Sequence, residues 1–209
     1  MDGILTVLGR TDSEKIIEKS RFLTYSAHIE SEEEARAFIA DVRAQHPFAT
    51  HVCFAFIADK TGNMQRFSDD GEPQGTAGVP ILEVIKNKGL REVVVAVVRY
   101  FGGIKLGAGG LVRAYSSCAA ENLASAETAL LEMSVEVEIS VDYTGIDALQ
   151  KYLSTRTCIP ISCDYGAKVT TTVAIKSADK EDFSASLTDY MQGRVEFSFK
   201  EECYRAFPV

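Results

Sequence analysis

Six apolar residues in a row, Val93-Val94-Val95-Ala96-Val97-Val98, lead into a segment with five glycines in nine residues, Gly102 to Gly110. No other stretch restricts the fold as much. An apolar run rich in β-branched residues, without polar alternation, predicts a strand buried on both faces. The glycines Gly102, Gly103, Gly107, Gly109 and Gly110 then precede Leu111 to Ser125, whose Ala and Leu content predicts a helix. Strand, glycine loop and helix start make a geometry suited to anions. Unpaired N–H groups point outward there, and the helix dipole favours negative charge. Arg99, Lys105 and Arg113 add positive charge, so the candidate anion site comprises these three residues and the five glycines. The spacing is neither G-x-G-x-x-G nor G-x-x-x-x-G-K-[ST], and neither nucleotide fingerprint applies. The glycines also fit a purely packing role, permitting positive φ and close approach of helix to sheet.

A second feature lies upstream, in Phe67-Ser68-Asp69-Asp70-Gly71-Glu72-Pro73-Gln74-Gly75-Thr76-Ala77-Gly78. Its composition predicts a loop. Three carboxylates within four residues suit a hard cation, a general base at Asp70 or Glu72, or a partner-facing surface. They equally suit a tight turn with side-chain-to-backbone bonds. The EF-hand spacing is absent, and no metal site is expected. Gly75 and Thr76 precede a predicted helix, Thr76 to Lys88, which offers a second set of helix-start N–H groups. The candidate acidic site is Asp69, Asp70, Glu72, Gly75 and Thr76.

Around these features the chain reads as α+β. Ile16 to Glu30 predicts a hairpin with Lys19-Ser20-Arg21 near its turn. Ser31 followed by Glu34 is a capping box opening a helix to Gln45, with Ala35, Phe38, Ile39 and Val42 on one face. His51 to Ile57 and Met64 to Ser68 predict strands. From about Met133 the pattern changes. Ser134 to Val141, Ile159 to Tyr165, Lys168 to Ile175 and Val195 to Phe199 predict strands, and Ile146 to Leu153 and Ala178 to Met191 predict helices. Phe183, Leu187 and Tyr190 are expected to face the core. That βαββαβ order is the ferredoxin-like plait. The expected domains are 1–130 and 131–209.

Composition narrows the function classes. Residues 1–129 carry 14 Lys and Arg against 17 Asp and Glu, and residues 130–209 carry 8 against 13. Neither half is a basic module, which argues against bulk nucleic-acid binding while leaving room for a local basic face. No apolar run approaches a bilayer span, so no membrane role is expected and the cytoplasm is the expected location. The cysteines Cys53, Cys118, Cys158, Cys163 and Cys203 match no zinc pattern and are expected to be reduced thiols. His51 and Cys53 share a strand face but lie about 7 Å apart along it, too far for a catalytic dyad. His28 and His46 show no partner at ligand spacing. No exposed apolar stripe forces association, so a monomer is expected.

Four segments together resemble the YigZ/IMPACT family: Lys19 to Phe22 (KSRF), His51 to Phe56 (HVCFAF), Phe67 to Pro80 (FSDDGEPQGTAGVP) and Val93 to Tyr115 (VVVAVVRYFGGIKLGAGGLVRAY). The resemblance implies an N-terminal domain like domain 2 of ribosomal protein S5. It also implies a ferredoxin-like C-terminal domain similar to the last domain of elongation factor G. The family's eukaryotic members are linked to translational control, so the implied role is a translation-associated binding protein contacting RNA, the ribosome or a translation factor. Arg21, His51, Tyr100 and Tyr115 fall within the matched motifs, as do the acidic and glycine residues above. Two other readings stay open: an enzyme acting on a phosphorylated small molecule or nucleotide, and a protein–protein regulator using the acidic loop. No nucleophile triad or metal-ligand cluster is recognisable, so a non-enzymatic role without a cofactor is preferred.

Overall fold

The computed structural model describes residues 3–207, in which two compact units separate: Ile4–Ala129, and a second from Leu130 onward. The first contains β1 (Ile4–Val7), β2 (Arg10–Ile17), β3 (Ser20–His28), α1 (Glu32–Gln45), β4 (His51–Ile57), β5 (Gln65–Ser68), α2 (Gly78–Asn87), β6 (Val93–Tyr100) and α3 (Gly107–Ser125). Five strands form an antiparallel sheet in the order β2-β3-β6-β4-β5. β6 is central, which accounts for its unalternating sequence. Val93, Val95 and Val97 pack with Ile81, Ile85, Leu111 and Tyr115 of α2 and α3. Val94, Ala96 and Val98 lie in the clusters that hold Ile39 and Val42 of α1. Helices therefore cover both faces, as a doubly buried strand requires.

Local chemistry sets the element ends. The Ser31 hydroxyl accepts from the Glu34 N–H at 3.1 Å, and the Glu34 carboxylate accepts from the Glu30 N–H at 2.7 Å, which starts α1. The β2–β3 turn has positive φ at both Glu18 and Lys19, the backbone a two-residue hairpin needs, without a glycine. Helix α3 starts at Gly107, four residues before the predicted start. Gly107, Gly109 and Gly110 are thus first-turn residues rather than loop. Its buried face of Leu111, Ala114, Tyr115, Cys118 and Asn122 repeats at helical spacing. Tertiary packing of that face outweighs the poor helix propensity of glycine.

The second unit contains β7 (Thr128–Val141), α4 (Ile146–Leu153), β8 (Ile159–Tyr165), β9 (Val169–Lys176), α5 (Lys180–Tyr190) and β10 (Glu196–Phe207). The strands run antiparallel in the order β10-β7-β9-β8, the ferredoxin-like arrangement. Val135, Val137 and Ile139 pack against Leu149, Phe183 and Leu187. Three expectations need correction. Strand β10 continues to Phe207 because an irregularity between Phe199 and Glu202 shifts the alternation without ending the pairing. Strand β7 starts at Thr128, and pairing of Leu130 to Met133 with β10 overrides the helix propensity of an Ala-Leu-Leu-Glu-Met stretch. Tyr190 is half exposed, with its ring against Tyr152. Among the described residues no helix is long and apolar enough to cross a membrane.

Candidate functional site

The acidic loop is organised by its own carboxylates. Asp69 accepts from the backbone N–H groups of Gly75 at 2.8 Å, Ala77 at 3.0 Å and Gly78 at 2.8 Å. The second helix-start anion site inferred from sequence is therefore filled by the chain itself. Burial works to raise the Asp69 pKa, but the three donors outweigh it and hold the carboxyl below its ordinary value. Asp70 joins two neighbours: one oxygen accepts from the Val52 N–H at 2.6 Å, the other from Arg43 at 2.7 Å. Its carbonyl meets His51 Nδ1 at 2.8 Å, so that nitrogen carries the proton. Gly75 and Gly71 have positive φ, and Thr76 donates its hydroxyl to the Pro73 carbonyl at 2.6 Å. These contacts make Asp69, Asp70, Gly75 and Thr76 the framework of the loop.

Glu72 points inward. It is 8% exposed and accepts from Arg99 Nη1 at 2.6 Å and from the Tyr115 hydroxyl at 2.8 Å. Arg99 is 4% exposed, donates to the Ser20 hydroxyl at 3.2 Å, and lies 5.4 Å from the ring centres of both Phe22 and Phe101. The Ser20 oxygen also accepts from the Gly102 N–H at 3.2 Å. A continuous buried network thus runs from the acidic loop through Arg99 to the start of the glycine loop. Burial, and next the neighbouring Cys53, push the Tyr115 phenol far up, so it stays a neutral donor. Burial pushes the Cys53 thiol up to about 12. Its S–H donates to the Asp69 carbonyl at 3.0 Å and reaches Tyr115 Oη at 3.4 Å, while His51 turns to Asp70. The two are not a nucleophile and base, as their strand spacing predicts. His51 Nε2 lies 3.8 Å from Glu72, beyond hydrogen-bond reach.

The glycine loop is a different place. Lys105 and Arg113 line an open cleft of about 620 Å³ with Ile17, Glu18, Gly110 and Ser117, and neither Glu72 nor Arg99 borders it. The expected trio of cations is therefore corrected. Arg99 neutralises Glu72 in the interior, while Lys105 and Arg113 are free of ion pairs among the described residues. The start of α3 has no side-chain cap and no acid in its first turn, so the N–H groups around Gly107, Gly109 and Gly110 face outward beside them. Gly102 has another purpose: a Cβ there would sit 2.0 Å from the Lys19 carbonyl oxygen. Gly103 and Gly107 take positive φ.

Of the remaining motif residues, Arg21 pairs with Glu14 on the exposed face of the β2–β3 hairpin. Tyr100 meets His46 Nδ1 at 2.9 Å, and Tyr25 meets Nε2 of the same ring at 2.8 Å. Burial, then Arg21 and Arg10, hold the His46 pKa below its ordinary value, so a neutral ring bridges the two phenols. Among the described residues no three His, Cys, Asp or Glu side chains converge as metal ligands would. Outside the candidate sites, Phe48 is exposed at 88%, and Phe101, within the Val93–Tyr115 motif, at 45%. Their signal in the sequence is an aromatic next to a loop former, Pro47 or Gly102.

Comparison with known proteins matches two stretches of the chain to family models. Residues 18–123, which hold both loops, match the Impact N-terminal domain, and residues 139–194 match a domain of unknown function, DUF1949. The chain belongs to the IMPACT family. It is 35% identical to the IMPACT family member YvyE of Bacillus subtilis, over 98% of this chain and 94% of that protein. It is 41% identical to the family member YigZ of Escherichia coli, over 89% of this chain and 92% of that one. A crystal structure described as that of a hypothetical protein has 36% identity and a TM-score of 0.63, covering 96% of this chain and 98% of its own.

Proposed function

We propose that this protein is a translation-associated binding protein that contacts RNA, on the ribosome or alongside a translation factor, through the start of α3. One observation carries the reading. The first turn of α3 is uncapped and lacks acids, and the two cations beside it have no internal partner. Free N–H groups beside two unpaired cations suit a phosphate backbone. Family membership supports the translational setting, because the eukaryotic members that this chain resembles are linked to translational control. The carboxylates a catalytic reading would draw on, Asp70 and Glu72, are committed to Val52, Arg43, Arg99 and Tyr115.

Co-sedimentation with ribosomes at low and moderate salt tests the proposal. The expected result is an association that weakens as salt rises and is reduced in a Lys105→Ala/Arg113→Ala variant. Arg99 is left intact, since its removal would strand Glu72 in the interior. Absence of salt-sensitive association, or equal association of the variant, overturns it.

A further inference from the structure

Two loops place exposed aromatic rings at the same end of the first unit as the α3 start. Phe48 lies in the loop between α1 and β4, and Phe101 directly after β6. Thr50 ties these loops together: its N–H donates to the Arg99 carbonyl at 2.8 Å, and its hydroxyl accepts from the Phe101 N–H at 3.0 Å. Phe48 is two residues from Thr50, at most about 7 Å of chain. The third segment at this end is the β2–β3 turn, whose Lys19 carbonyl abuts Gly102. Ile104 is exposed beside Lys105 and lines the same cleft. The charged groups carried by these segments are Lys19, Lys105 and Arg113 against a single acid, Glu18. The acidic loop also lies at this end, beside His51 and Val52. Its carboxylates are committed, Asp69 to backbone N–H groups, Asp70 to Val52 and Arg43, and Glu72 to Arg99 and Tyr115. Lys19, Lys105, Arg113 and Glu18 are therefore the charges of these segments left without ion pairs among the described residues.

From these observations we infer that this end binds single-stranded RNA, with bases stacking on Phe48 and Phe101 and phosphates meeting Lys105, Arg113 and the first turn of α3. The inference rests on the RNA-contact reading above and specifies which RNA it takes. Phe48 has no packing role at 88% exposure. The Phe101 ring has the Arg99 guanidinium 5.4 Å from its centre, which fixes its position without burying it. Flat aromatic rings beside unpaired cations match a polymer that alternates flat bases with phosphates. A paired A-form helix hides its base faces within the stack and presents backbone, 2′-hydroxyls and base edges, so it cannot use the rings. An acidic peptide would satisfy the cations but leave the rings without stacking partners.

Fluorescence anisotropy separates the alternatives, using a labelled unstructured oligoribonucleotide of about 12 nucleotides and the duplex of the same length. Single-stranded RNA is expected to bind more tightly than duplex. Phe48→Ala and Phe101→Ala are each expected to weaken single-strand binding roughly tenfold with an unchanged salt dependence, and Phe48→Tyr to bind as the parent does. Lys105→Ala/Arg113→Ala should weaken both RNA forms. Thermal melting of Phe48→Ala should match the parent, which keeps this arm decisive even if Phe101→Ala disturbs the Arg99 contact. Equal affinity for duplex and single strand, or wild-type affinity in Phe48→Ala, overturns the stacking inference while leaving the cationic contact standing. Absence of salt-sensitive binding to either form overturns both.

Discussion

At the scale of single residues, the acidic loop shows how one carboxylate can be consumed by structure. Asp69 sits where an external anion would bind α2, accepting three backbone N–H groups. Asp69→Ala leaves those donors without their charged acceptor and should destabilise the first unit by about 2–3 kcal/mol in urea unfolding. The pH dependence follows from the direction of the shift. The folded pKa lies below the ordinary 3.8, so the stabilisation is complete at neutral pH. It is lost only as pH falls below about 4 and through the folded value. The alanine variant should therefore lose less stability than the parent over that acid range, as denaturant midpoints at pH 7 and in acid will show. The thiols divide by environment in the same way. Cys163 and Cys203 are exposed, whereas burial pushes Cys53 up to about 12 and Cys118 up to about 11. A disulfide reagent at pH 8 should label Cys163 and Cys203 fastest, and Cys53 and Cys118 only after unfolding. Prompt labelling of native Cys53, read by peptide mapping, would contradict the buried network around Glu72.

At the scale of elements, the glycines that look alike in sequence have different roles. Gly102 has no room for a side chain, because the β2–β3 turn passes against it and Ser20 takes its N–H. Gly102→Ala must push the loop off that turn and should cost more than about 2 kcal/mol. Gly109 is different: the nearest atom to an added Cβ is a terminal nitrogen of Arg113 at 3.7 Å. Gly109→Ala should be neutral or stabilise by up to about 1 kcal/mol, because alanine favours the helix it already occupies. In thermal melts Gly102→Ala should fall well below the parent, while Gly109→Ala should stay level with it or rise. This distinction also marks how much was legible beforehand. The limits of α1 and β4 follow from Ser31, Pro47 and the apolar run after His51, all local signals. The early start of α3 was hidden because glycine opposes helix locally while Leu111 and Tyr115 pull it in from afar. The far half of β10 was hidden by the irregularity at Phe199–Glu202, which breaks alternation. The pairing of Glu72 with Arg99 joins residues 27 apart in the chain, and residue types alone do not say which charges meet. Each reads as a candidate functional group in the sequence; together they connect the acidic loop to β6 and α3.

At the scale of the whole molecule, the charge balance limits what RNA contact can look like. The protein carries a net charge of −8, so a polyanion is repelled by most of its surface. That repulsion is screened beyond about 8 Å at physiological ionic strength, so under the proposal the local charges at the α3 start decide binding. Few phosphates can be neutralised there, and counterion release scales with their number. Two cations meeting single-stranded RNA predict a log–log salt slope near about −1.4, far shallower than that of a basic RNA-binding module. In Lys105→Ala/Arg113→Ala the slope should fall toward zero, while the melting temperature stays unchanged because neither side chain has an internal partner. A steep slope in the parent would require more cations than this end offers, and a slope unchanged by the substitutions would place the phosphate contacts elsewhere on the surface. Measuring affinity at several salt concentrations thus tests the location of the contact as well as its existence, because the expected slope comes from two named residues.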